Sequence, residues 1–127
     1  MGNERAEIAR LEAAMSGLPG RLSHITKAIE THNPARPTKV KDIVRAAESA
    51  GLIAVPNKGL VHFEDPLGRK VASPIAHGHL TVSTHRNDEV RGPVALRLLQ
   101  AIELHTRELG PAINARLEEL GSGGKKR

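Results

Sequence analysis

Phe63 is the one aromatic residue in a chain of 127; Trp and Tyr are absent. This constrains the fold more than any other feature. A core without large rings must be assembled from Leu, Ile, Val and Ala. Those side chains fill space only where helices and strands lay continuous apolar stripes against one another. Hydrophobic residues make up 39% of the chain, enough at this length for one modest core. The same shortage weighs against stacking nucleobases on rings, as RNA-recognition-motif sheets and oligonucleotide-binding barrels do. There is no Cys, so disulfides and thiolate metal sites are excluded.

No apolar run approaches the roughly 20 residues of a membrane span. The opening "MGNERAEIARLEAAM" reads as a charged helix rather than a signal peptide, so a cytoplasmic protein without membrane contact is expected. Lys and Arg outnumber Asp and Glu by 19 to 14, a net charge of +5 that suits a polyanionic partner.

The apolar spacing divides the chain. Ile8, Leu11 and Met15 mark a helix over Asn3–Ser16, and Leu22, Ile25 and Ile29 a second. Gly17 and Pro19-Gly20 lie between them, which predicts a helical hairpin or one long kinked helix over 1–33, serving as an oligomerisation or packing arm. Thr38 resembles an N-cap for "KVKDIVRAAESAG", with Val40, Ile43, Val44 and Ala47 as the buried stripe and Gly51 as C-cap. Short extended pieces follow: "LIAV", a turn at "PNKG", "LVHFE", a turn at Asp65-Pro66-Leu67-Gly68, "RKVASPI" and "HLTVS". Pro93 suits the first turn of a helix to Leu109 that is apolar on more than one face and needs cover from two sides. Gly110-Pro111 separates a short closing helix over 111–120 from a flexible basic tail over 121–127. The expected class is α+β: helix, three or four antiparallel strands and helix over 38–109, with the two helices on one face of the sheet.

The face left open follows from the period of two. "HLTVSTH" places His79, Thr81, Ser83 and His85 on one side and Leu80 and Val82 on the other. Likewise His62, Glu64, Lys70 and Ala72 face outward, and Val61, Phe63, Val71 and Ile75 inward. The open face is polar and carries imidazoles.

From Val40 to about Ala101 the chain resembles the HicA family of toxins, small mRNA interferases with a fold like that of the double-stranded-RNA-binding domain. "VKDIVRAAESAGL" is similar to the family's opening helix and Gly turn. "NKGLVHFEDPLGRKVASPI" resembles its Lys-Gly-Ser-His segment with an aromatic and a Pro-containing turn behind it. "HLTVSTHRNDEVRGPVALRLLQAIE" resembles its Val-rich strand and acidic-aliphatic-x-x-Gly stretch, with Glu89, Val90 and Gly92 on that pattern. The resemblance implies an RNA-binding domain, metal-independent endoribonuclease activity and an antitoxin partner. It also departs from the family: counted from Gly59, the catalytic His position holds Val61, and His62 comes one residue later. A one-residue shift turns a strand side chain to the other face unless a bulge intervenes.

Metal-free RNA cleavage needs a base for the 2′-hydroxyl, an acid for the leaving oxygen and a cation for the phosphorane charge. His62 and His79 are the candidate imidazoles, within about 5 Å if the register pairs them directly. Lys58, Arg69, Lys70, Thr81, His85 and Arg86 are the candidate nucleic-acid contacts. A zinc site built from His77 and His79 with His62 or His85 is a weaker alternative, because Gly78 bends the chain between the first two and no carboxylate lies close in sequence. No cofactor is expected. The competing reading is a non-catalytic nucleic-acid- or protein-interaction module acting as a homo-oligomer or within a larger assembly.

Overall fold

The computed structural model describes residues 2–125, and its framework is a pair of long helices. Helix α1 spans Gly2–Glu30 and α3 spans Gly92–Lys125. They run antiparallel: Arg116 grips Glu7 through two hydrogen bonds of 2.9 and 3.1 Å, Thr26 donates to Glu103 at 3.0 Å, and His32 Nε2 donates to the Gly92 carbonyl at 2.8 Å. Over 1–33 the single long helix holds rather than the hairpin, and the break expected at Gly110-Pro111 is overridden. Pro19 lies inside α1 and Pro111 inside α3, each exposed, and neither ends its helix. An internal proline costs about 3 kcal/mol. Here Leu11, Ala14, Leu109 and Ile113 form a buried cluster beside the two prolines, and Leu18 closes on Gly110, so packing offsets the missing backbone bonds. The closing segment over 111–120 is therefore part of α3, which continues into the expected tail; Lys126 and Arg127 lie outside the described residues.

Between the long helices lies the α/β body. Strand β1 is Thr38–Lys39, helix α2 is Val40–Ser49, and the strands β2, β3, β4 and β5 are Ile53–Asn57, Leu60–Glu64, Thr81–Ser83 and Glu89–Val90. Thr38 is not the N-cap of α2. It pairs with Val90 in the two-stranded β1–β5 ribbon, and Lys39 occupies the cap without a side-chain bond. The orphan donors at the start of α2 go instead to the loop before β5: Val40 N–H to Asp88 O at 2.9 Å and Lys41 N–H to Arg86 O at 3.0 Å. At the other end Gly51, at φ +90°, closes a Schellman motif, with Leu52 N–H on Ala47 O and Gly51 N–H on Glu48 O. The stripe of Val40, Ile43, Val44 and Ala47 is buried as its spacing predicts.

Strands β2, β3 and β4 form one antiparallel sheet in that order. A two-residue turn joins β2 to β3, with Lys58 at φ +54° and Gly59 at φ +82°. Two positive φ values in succession make a type I′ turn, whose twist matches that of the flanking strands. Pairing is residue for residue from Ile53↔Glu64 to Asn57↔Leu60, so β3 contains no bulge. Val61, Phe63, Val71, Leu80 and Val82 all face the core under α2 and α3, and Phe63 has no exposed surface.

The stretch "RKVASPI" does not form the expected strand. Only isolated bridges survive, Glu64↔Lys70 and Ala72↔His79. Pro74 has no N–H to give a ladder, and Ser73 Oγ accepts from Ile75 N–H and Ala76 N–H to hold a loop instead. Ile75, expected inside, is consequently 52% exposed. Helix α3 receives cover from α1, α2 and the sheet, but Leu104 remains outside that cover.

Candidate nucleic-acid interface

The register fixes what the open face presents. Its rows, read across β2, β3 and β4, are Val55–His62–Thr81 and Asn57–Leu60–Ser83, with Ile53–Glu64 continued by Lys70. On this side Ile53 and Leu60 are two of the four exposed large hydrophobics among the described residues. The outer edge of β2 carries Pro56, which removes one backbone donor and blunts the edge against pairing with another chain.

His62 occupies the middle row. Its Nε2–H donates to Glu64 Oε2 at 2.8 Å, and its side chain is only 12% exposed. The two residues share a face because they are two apart on one strand. In the neutral ring this fixes the tautomer and leaves Nδ1 with the free lone pair. The register does not bring His79 opposite His62. Thr81 stands there, and His79 is paired with Ala72 two residues back. The direct imidazole pair conceived from sequence is absent for that reason. Val61 faces the core and His62 the other side in unbroken register, so no bulge shifts His62 along the strand.

The other candidates divide by location. Lys58 is at the β2–β3 turn and Lys70 at the far end of the face, both exposed. Thr81 is exposed beside His62. His85 and Arg86 follow β4, and their loop is tied to the turn by Thr84 N–H on Gly59 O at 3.2 Å. Arg69 serves a different purpose: its Nε donates to Asp65 Oδ2 at 3.1 Å, within a turn rather than on the open rows. Among the described residues no group of three His, Asp or Glu side chains could hold a metal ion, so the arrangement of His77, His79 and a third imidazole does not form.

Sequence reasoning missed the most elaborate polar cluster in the chain. Asp65 is buried at the start of the turn after β3. Its Oδ1 accepts from Leu67 N–H at 2.8 Å and Arg69 N–H at 2.9 Å, and its Oδ2 accepts from His105 Nε2–H at 2.8 Å besides Arg69. Burial pushes the carboxyl up; the His105 bond, then the Arg69 and Leu67 donors, outweigh it and hold the group down at about 2. The Asx pattern of Asp65 with Pro66 and Gly68 was readable as a turn, but nothing in sequence points to His105, 40 residues away on α3. Arg10 of α1 adds a hydrogen bond to the Pro66 carbonyl, so this turn joins the sheet to both long helices. Its polar groups are satisfied internally, which makes it a structural junction.

No protein-family model, curated protein or solved structure matches this chain. No helix among the described residues is long and apolar enough to cross a membrane.

Proposed function

We propose that this chain is an RNA-binding domain that engages its ligand through the open face of the β2–β3–β4 sheet, in the manner of a HicA-like, double-stranded-RNA-binding-like domain. The observation that carries the proposal is the open face itself. Its central row holds His62 and Thr81, and it has cations at both ends, Lys58 at the turn and Lys70 beside Glu64. The order α2–β2–β3–β4–α3, with both helices on the opposite face, supports the same reading, as does the net charge of +5. Without aromatic rings on that face, affinity rests on phosphate contacts and therefore on salt.

A second reading, metal-independent endoribonuclease activity, is favoured by the His62–Glu64 pair. Nδ1 of His62 would take the proton of a ribose 2′-hydroxyl as that oxygen bonds to phosphorus and the P–O5′ bond breaks. The leaving oxygen would take a proton from water or from His79. A carboxylate on the far side of the ring stabilises the imidazolium formed.

Both readings are tested with one labelled single-stranded oligoribonucleotide in chelator. Binding that weakens steeply as salt rises is the expected result, and its absence at low salt overturns the RNA reading. Cleavage that His62→Ala abolishes establishes the enzyme. Salt-sensitive binding with an intact oligonucleotide leaves a binding module only.

A further inference from the structure

One end of the sheet, where the β2–β3 turn, the loop after β4 and the start of α2 meet, collects positive charge from three separate segments, and the backbone locks them together. Gly59 O, in the β2–β3 turn, accepts from Thr84 N–H at 3.2 Å, and two residues further on Arg86 O accepts from Lys41 N–H at 3.0 Å. Lys58, Arg86 and Lys41 are thereby held on adjacent pieces of chain, with His85 between the first two. None of these three cations has an ion-pair partner among the described residues. The carboxylates nearby are otherwise engaged or fewer: Asp42 faces Arg45 at 3.6 Å, Glu89 is the register partner of Lys39, and Asp88 remains.

Lys58 is the one non-glycine residue with positive φ among the described residues, at +54°. The first position of a type I′ turn favours Asn, Asp or Gly, because a long side chain there carries the left-handed penalty. Strain of this kind persists only where the surrounding structure enforces it, and it clusters at functional sites. Gly59 beside it leaves open space: a Cβ there would meet nothing within 4 Å. The turn therefore offers an ammonium group and an unobstructed backbone at the same point.

Resting on the RNA-binding reading, we infer that this end of the sheet, marked by Lys58, Arg86 and Lys41, is where the nucleic-acid backbone is gripped, and that Lys58 is held in a strained conformation to place its charge against a phosphate. Lys58→Asn separates the two properties, since Asn relaxes the turn and removes the cation. Each phosphate contact with a single strand contributes about 0.7 to the slope of log affinity against log salt, which at 0.1 M monovalent salt is about fivefold in Kd.

The experiment is fluorescence anisotropy with a labelled single-stranded oligoribonucleotide over a salt series, with urea unfolding in parallel. For Lys58→Asn the expected result is an affinity about fivefold weaker, a salt slope smaller by about 0.7, and a higher unfolding midpoint. Arg86→Ala is expected to lose a similar factor, and Lys27→Ala, an exposed cation on α1, to lose none. Unchanged affinity and slope in Lys58→Asn overturn the inference while wild-type binding upholds the RNA reading. Equal loss in Lys27→Ala overturns it also, since any cation would then do. If the wild-type protein binds no RNA, both fall together.

Discussion

Replacing Asp65 by Ala tests how much the junction behind the sheet contributes. The carboxylate accepts four hydrogen bonds of 2.8, 2.9, 2.8 and 3.1 Å, two from backbone N–H groups and two from side chains. Bonds to a charged group are worth about 1.5–3 kcal/mol each but do not add, and removing one member of a buried pair costs about 3–5 kcal/mol. His105, 13% exposed, would be left with an unpartnered donor. About 4 kcal/mol is therefore expected at neutral pH.

Acid gives the independent check. The carboxyl stands at about 2 in the folded protein against an ordinary 3.8. A depressed folded value means that its stabilisation is fully present above about pH 4 and is lost as the pH falls through about 2. At 1.36 kcal/mol per pH unit of difference it amounts to roughly 2 kcal/mol. Urea unfolding followed by far-UV circular dichroism, at a series of pH values from neutral downward, should show Asp65→Ala destabilised at neutral pH and the gap to wild type narrowing by roughly 2 kcal/mol in acid. Asp65→Asn, which keeps an oxygen for the two backbone donors, should fall between them. An Ala variant within about 1 kcal/mol of wild type, or a gap that stays constant with pH, would refute the reasoning.

Three further outcomes are expected from the packing. Gly92→Ala would drive its Cβ to 2.1 Å from Pro34 O and 2.6 Å from Arg36 O, so the melting temperature should fall sharply as the start of α3 is forced off that loop. Phe63→Ala, in a core with no other ring, should cost about 3–5 kcal/mol in urea unfolding. Pro111→Ala restores a backbone donor in mid-helix at an exposed position and should stabilise the protein by up to about 3 kcal/mol, seen as a higher midpoint with an unchanged urea slope.

The inward rows were legible because the period of two is strict: Val61, Phe63, Val71, Leu80 and Val82 are buried as the alternation requires. It failed at Ile75, where Pro74 and the Ser73 hydroxyl favour a loop that apolar patterning cannot detect. Gly110 and Pro111 read as a stop, and Gly17 and Pro19 as a stop or a kink, because each weakens a helix locally. Two helices packed along their length override such signals, and sequence spacing within one segment does not show the partner segment. The open face followed from alternation, but its register did not. That Thr81 rather than His79 stands opposite His62 is set by the strand pairing, in which His79 bridges to Ala72 instead. Asp65 and His105 meet only in three dimensions, so their cluster left a turn signature and nothing more.

Pro19 and Pro111 sit at the same height of the helix pair, since Leu18 packs on Gly110. Each proline withholds one amide proton, so both rods lack a rung at a shared cross-section, to Met15 on one side and Arg107 on the other. Beyond that seam the rods are fastened by the small cluster around Leu11 and Ile113 and by the Glu7–Arg116 pair. The outer arms are nonetheless coupled to the sheet, because Arg10 donates to the Pro66 carbonyl and Leu67 packs on the same small cluster, so an opening of the arms reaches the turn that follows β3.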